Sequence, residues 1–161
     1  MKVLVVSDTH GRDENLEWVV SYEAPIDAMI HCGDVEGSED YFEALLDCPV
    51  YMVRGNNDFF SDLNSEIIVE IGGKKIMVTH GHYYGVSMGP ERLIDEALDR
   101  GVDIVMFGHT HRPFFLEEKD ITVLNPGSLS YPRQSRREPT YLIMEIDEKN
   151  NLNFFQKVVD N

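Results

Sequence analysis

Five short segments of the chain carry side chains able to hold a metal ion: Asp8-Thr9-His10, Gly33-Asp34, Gly55-Asn56-Asn57-Asp58, His80-Gly81-His82 and Gly108-His109-Thr110-His111. Imidazole, carboxylate and amide oxygen are hard or borderline donors. Neither Cys32 nor Cys48 lies in these segments, so manganese, iron, zinc or nickel suits them better than copper(I) or an iron–sulfur cluster. One residue between two donors, as in Asp8-x-His10 or His109-x-His111, lets both side chains aim at one region when the intervening backbone is extended or looped. Each segment alone has a plainer reading. Asp8-Thr9-His10 suits the N-cap region of a helix, and the Gly33 and Gly55 segments suit turns. Two histidines separated by one residue after an apolar run make the Gly108 segment the sharpest of the five. In this order and spacing, the five together point to one dinuclear metal site.

The elements that must position these donors can be read from hydrophobic periodicity. Val3 to Val6, Ala28 to Ile30, Val50 to Val53, Lys75 to Val78 and Ile104 to Phe107 are short apolar runs, and a donor segment follows each one. Between them lie helical patterns. Leu16, Val19 and Val20 mark one apolar face, Ser38 is placed to cap a helix burying Phe42, Leu45 and Leu46, and Pro90 opens a helix with Leu93, Ile94, Ala97 and Leu98. Gly72-Gly73 between Ile67–Ile71 and Lys75–Val78 predicts a hairpin. The remainder predicts strands over Phe114–Leu116, Ile121–Leu124, Tyr141–Ile146 and Leu152–Phe155, with Asn125-Pro126-Gly127-Ser128 as a turn. Strands alternating with helices predict an α/β fold, in which the carboxyl ends of strands converge on one crevice. No linker or repeat divides the 161 residues, so one domain over residues 1–161 is expected.

Composition narrows the partners. With 14 Lys+Arg against 29 Asp+Glu, the formal charge of −15 disfavours binding to a long nucleic acid, which needs a basic surface. Much of the acid lies in Glu36–Asp47 and Glu91–Asp103, where a solvated helix face is the ordinary explanation. A small phosphate ester stays eligible if metal ions supply local positive charge. Arg133, Arg136 and Arg137 form a basic cluster that faces an anionic substrate or is an ordinary surface loop. The opening apolar run is too short for a signal peptide and no run reaches membrane-spanning length, so a soluble, cytoplasmic protein without a membrane partner is expected. Cys32 and Cys48 read as buried free thiols, and His31, inside an apolar strand, as a core histidine.

The donor pattern, from Asp8 to Arg133, resembles the calcineurin-like metallophosphoesterase superfamily, in particular its small YfcE-type phosphodiesterase branch. That resemblance implies two facing β-sheets flanked by helices. It also implies two divalent ions per chain, manganese first among manganese, nickel, iron and zinc. Asp8, His10, Asp34 and His111 would hold one ion and Asp34, Asn56, His80 and His109 the other, with Asp34 bridging. It further implies homo-oligomers and places Asn125-Pro126-Gly127-Ser128 beside the site.

The ligand set implies a reaction. Two divalent ions and two carboxylates leave two positive charges, a bridging hydroxide leaves one, and a phosphodiester monoanion neutralises it. Attack of that hydroxide in line at phosphorus would hydrolyse a small phosphodiester or nucleotide-like ester. The candidate catalytic residues are Asp34, Asn57, Asp58 and His82. Many members of the superfamily have a histidine where Asn57 stands, and an amide cannot serve as a general acid. Leaving groups that depart without strong protonation are therefore expected to be favoured. His82 is the competing acid, or else a histidine that supports the ligands or touches substrate. The alternative reading is a weak or inactive metal-binding scaffold or sensor of the same fold, like the retromer scaffold subunit. That subunit departs from the ligand pattern at the first Asp-x-His, which is intact here.

Overall fold

The computed structural model describes residues 1–161. The run Lys2–Val6 forms β1, and every second side chain points the same way, so Val3 and Val5 enter one core while Leu4 and Val6 enter another. β2 (Ala28–His31) and β3 (Val50–Met52) lie parallel beside it. The late strands β9 (Thr140–Ile146) and β10 (Leu152–Val158) return antiparallel on the other side of β1, giving the sheet order β10-β9-β1-β2-β3. The second sheet has the order β4-β5-β6-β8-β7, from β4 (Glu66–Ile71), β5 (Lys74–Thr79), β6 (Ile104–Met106), β7 (Pro113–Glu117) and β8 (Thr122–Pro126). Within it, β5, β6 and β8 are parallel and the edges antiparallel. Gly72 and Gly73 turn the β4–β5 hairpin with φ of 57° and 73°, a pair of positive values that glycine adopts without steric cost.

The two sheets face each other across a core that includes Val3, Val5 and Ile30 from the first and Ile76, Val78, Ile104 and Leu124 from the second. α1 (Glu14–Glu23) and α2 (Glu39–Leu45) cover the outer face of the first sheet, setting Leu16, Val19 and Phe42 against Leu4, Val6 and Met29. α3 (Glu91–Asp99) sets Leu93 and Ala97 against Met77, Val105 and Val123 of the second. Burial on both faces is why the central strands read as unbroken apolar runs. Each such side chain contributes roughly 1.5–3 kcal/mol by leaving water. The expected α/β sandwich of two facing sheets flanked by helices, in a single domain, is the observed architecture. No helix is long and apolar enough to cross a membrane.

Some local expectations change. Ser38 stands at the head of α2, but its hydroxyl donates to Asp13 Oδ2 at 2.6 Å instead of capping the helix, and Leu45, the last residue of α2, is only half-buried. β8 runs on through Asn125 and Pro126, so the turn begins at Gly127 (φ 80°); a strand end is where proline's missing N–H does no harm. Two 3-10 turns, His82–Tyr84 and Val86–Met88, follow β5 and were not signalled by any periodicity. Cys32 is buried as expected, whereas Cys48 is partly exposed.

Candidate metal centre

The parallel strands β1, β2 and β3 of one sheet and β5 and β6 of the other deliver their following loops to one edge of the sandwich. The loops are laced together through the backbone. Asp8 N–H donates to the Gly33 carbonyl (3.0 Å), His10 N–H to Asp34 (2.9 Å) and Gly108 N–H to His80 (3.2 Å). Asp8, His10, Asp34, His109 and His111 all have positive φ, between 51° and 68°. Each such residue costs about 1–3 kcal/mol, a strain that persists only where surrounding contacts impose it and that concentrates at functional sites.

The strained backbone aims the side chains inward. One ligand atom each from Asp8, His10, Asp34 and His111 fits within 4.8 Å of every other. His111 Nε2 lies 3.1 Å from Asp8 Oδ1 and 3.1 Å from His10 Nε2, and His10 Nε2 lies 3.7 Å from Asp34 Oδ2. A second group adjoins the first: His80 Nε2 is 3.3 Å from Asp34 Oδ2 and 3.0 Å from Asn56 Oδ1, which in turn is 3.0 Å from His109 Nδ1. All seven expected metal-ligand positions therefore meet in one place, with Asp34 common to both groups.

The partners behind these donors fix which atom each presents. His80 Nδ1 donates to the Cys32 carbonyl and His111 Nδ1 to the Tyr131 carbonyl, both at 2.7 Å, while His10 Nδ1 meets Glu36 Oε1 at 2.7 Å. Each of these contacts turns Nε2 toward the centre, as outer partners of metal-binding histidines do. Asp8 Oδ2 accepts from Ser7 Oγ (2.5 Å) and the His109 N–H (3.1 Å), yet the fully buried Oδ1 has no hydrogen-bond partner. A buried carboxylate oxygen without a donor is costly unless a cation satisfies it. With two imidazole Nε2 atoms facing each other 3.1 Å apart, that orphaned oxygen makes the residues a good fit for divalent metal.

Asn57 and Asp58 lie behind the donors. Asn57 donates twice to Asp34, from its backbone N–H (2.9 Å) and its side-chain amide (2.8 Å). The Asp58 carboxylate accepts backbone N–H groups of Asp34 (2.9 Å), Glu36 (2.7 Å) and Gly55 (2.8 Å), which leaves it tying two loops together. His82 sits beside the second group, its ring centroid 5.4 Å from that of His80 and 6.1 Å from that of His109, and its buried Nδ1 has no partner. Arg133 and Arg137 line an open cleft that reaches His10 and His111; Arg136 does not. Asn125 and Ser128 brace the site from behind. The Asn125 amide donates to the Gly108 carbonyl (2.9 Å) and the Ser128 hydroxyl to the Asp8 carbonyl (2.8 Å). Sequence reasoning missed Glu36, whose only signal is an acid two residues after Asp34, and the carbonyls of Cys32 and Tyr131, for which side-chain type carries no signal.

Electrostatics follow from this crowding. Burial opposes charge on Asp8, but the imidazoles of His10, His111 and His80 outweigh it and hold the carboxyl far below the usual range. Burial likewise opposes protonation of His10, yet Asp8 and Glu36 push its pKa up to about 9. Asp34, also penalised by burial, is brought down to about 2 by His80 and Asn57. Burial lowers the pKa of His82, and the neighbouring His80 and His109 lower it further.

A fold of two facing sheets with a His/Asp/Asn cluster across their common edge defines a metal-dependent phosphoesterase class, and the comparisons agree. Residues 1–149 match the calcineurin-like phosphoesterase superfamily domain, so the chain belongs to that superfamily. It is 38% identical over 148 residues to the probable metallophosphoesterase YsnB of Bacillus subtilis, covering 91% of this chain and 85% of that protein. Against the phosphodiesterase YfcE of Escherichia coli it is 30% identical over 159 residues, covering 83% and 82%. A crystal structure of a predicted phosphoesterase from Streptococcus pneumoniae superposes with a TM-score of 0.79 at 29% identity, covering 97% of both chains.

Proposed function

We propose that this protein is a phosphodiesterase that hydrolyses small phosphate esters with two divalent ions, manganese first. Asp8, His10, Asp34 and His111 would hold one ion and Asp34, Asn56, His80 and His109 the other. The observation that carries this reading is the convergence of seven donors, five on left-handed backbone, in two adjoining groups that share Asp34, with the buried Asp8 Oδ1 left without a hydrogen-bond partner in the first. Bound ions would supply Lewis acidity toward the phosphoryl oxygens and lower the pKa of an attacking water. Nitrogen and oxygen donors without a thiolate suit manganese, iron, zinc or nickel.

The chain's own residues do the positioning. Asn57 fixes both oxygens of Asp34, and Asp58 fixes the loop that carries Asp34. Neither is placed to give up a proton, which leaves His82 as the side chain beside the second group that can assist a leaving group. With Asn57 an amide that cannot act as a general acid, aryl esters, whose leaving groups depart without strong protonation, are the better substrates. The intact first Asp-x-His pair argues for an enzyme over a scaffold or sensor of this fold.

The test is turnover of bis-(p-nitrophenyl) phosphate, a methyl p-nitrophenyl diester with methoxide as the alternative leaving group, and p-nitrophenyl phosphate. The protein is stripped of metal and then reloaded with manganese, nickel, iron or zinc. Expected are metal-dependent diester hydrolysis that expels the aryl group, and loss of at least about 1,000-fold in Asp34→Ala, the scale on which removing key transition-state stabilisation acts. Two ions bound per chain without turnover would move the protein to the scaffold or sensor class.

A further inference from the structure

The cleft beside the metal centre has an unusual wall. Its volume of about 720 Å³ is bounded by His10 and His111 on the metal side and by Tyr131, Arg112, Arg133 and Arg137 on the other. That size falls within the roughly 300–1,000 Å³ typical of small-molecule sites. In a chain with 29 acidic and 14 basic residues, none of these three arginines has a carboxylate within 4.0 Å, whereas Arg100 pairs with both Glu66 and Glu96. Glu36 also lines the cleft, but its Oε1 is engaged by His10 Nδ1. Guanidinium groups gathered without acids repel one another, and a planar array of donors is suited to phosphate oxygens.

The wall is also tied to the metal centre. Arg133 N–H donates to the His111 carbonyl at 3.0 Å, and His111 Nδ1 donates back to the Tyr131 carbonyl at 2.7 Å. The Tyr131 ring meets His10 edge-on at 5.3 Å and carries the Arg12 guanidinium 4.9 Å from its centroid. Arg137 sits on left-handed backbone (φ 51°) in a turn closed by its N–H to the Gln134 carbonyl, at 3.0 Å. The backbone of Arg133 is thus tied to the site and that of Arg137 to its turn, and Arg112 directly follows His111, while the three side chains are exposed along the cleft.

We propose that Arg112, Arg133 and Arg137 form a subsite for a second phosphate group, carried on the same substrate as the scissile phosphodiester. This rests on the phosphodiesterase reading and narrows it: the preferred substrates are small esters with a further phosphate a few bonds beyond the one cleaved, such as phosphorylated nucleotide esters.

Thymidine 5′-(p-nitrophenyl phosphate) and its 3′-phosphorylated form share the scissile bond and leaving group and differ by one phosphate. With manganese-loaded protein, kcat/KM for the phosphorylated form should be higher by at least about 10-fold, the effect of one charge-assisted contact. The ratio should fall to near one in Arg133→Gln/Arg137→Gln. Arg136→Gln, a neighbouring charge outside the cleft, should keep the ratio. A wild-type ratio near one overturns the subsite, and so does equal loss in Arg136→Gln, which would mean general surface charge. Calorimetric binding of thymidine 3′,5′-bisphosphate against thymidine 5′-phosphate reads the subsite without turnover. A preference for the bisphosphate that vanishes in the double variant supports it even if no ester is cleaved, and its absence overturns it even if bis-(p-nitrophenyl) phosphate is hydrolysed.

Discussion

Asp34 and Asp58 are both buried acids of the same site, and their neighbours give them different work. Asp58 spends its oxygens on three backbone N–H groups, whereas Asp34 turns Oδ2 toward His10 and His80. His31 shows the same logic in a histidine. Its Nδ1 accepts the Gly33 N–H at 3.1 Å, so the neutral ring carries its proton on Nε2 and donates to Thr9 Oγ1 at 2.9 Å. Burial pushes its pKa down to about 4 from an ordinary 6.5. Because the unfolded chain binds this proton more readily, the stability from neutral His31 is fully present above pH 6.5. It is lost as pH falls from there through 4, by about 2 kcal/mol at pH 5. Unfolding free energies at pH 8 and pH 5 should therefore fall less in His31→Gln than in the wild type, by about that amount. An equal fall in both proteins would assign the acid sensitivity to other groups.

Elements set where these residues can stand, and glycines at strand ends set how closely loops approach. Gly55 follows β3, and a methyl group there would run into the Asp34 carboxylate and its backbone nitrogen. Gly55→Ala should leave the strands intact but displace Asp34, lowering metal affinity by about 10- to 100-fold, as loss of an outer support does. Metal titration followed by calorimetry checks this, and an unchanged affinity would mean that the β3 loop yields freely. The central strands were legible in the sequence because burial on both faces leaves unbroken apolar runs such as Val3–Val6, and the β4–β5 hairpin because Gly72-Gly73 meets a backbone demand. The split into two sheets was not readable from periodicity, since β1 and β5 look alike although they belong to different sheets; the family resemblance supplied it. Ser38 misled because its hydroxyl had a competing acceptor in Asp13, 25 residues away, which local pattern cannot reveal. The donor side chains were legible by type and order, while the carbonyls of Cys32 and Tyr131 were not, since every residue has one.

On the scale of the whole molecule, the donor cluster spans the seam between the sheets. Asp8, Asp34 and Asn56 follow β1, β2 and β3 of the first sheet, and His80, His109 and His111 follow β5 and β6 of the second. Ions held by both sets would join the two sheets at one edge, in addition to the apolar core between them. Because the unfolded chain cannot assemble the cluster, binding stabilises the native state by roughly 4 kcal/mol at a thousandfold excess over Kd. At about 2–4 °C per kcal/mol for a chain of this size, chelation should lower Tm by roughly 8–16 °C. His80→Ala, which removes a donor from the second sheet, should lose most of that increment while keeping a Tm close to that of chelated wild type. The bound ions are counted by elemental analysis in the same samples. Two ions per chain with a Tm indifferent to their removal would mean that the unfolded chain holds them as tightly as the native one, and the seam would then be closed by the Val3, Ile30, Ile76 and Ile104 core without help from the site.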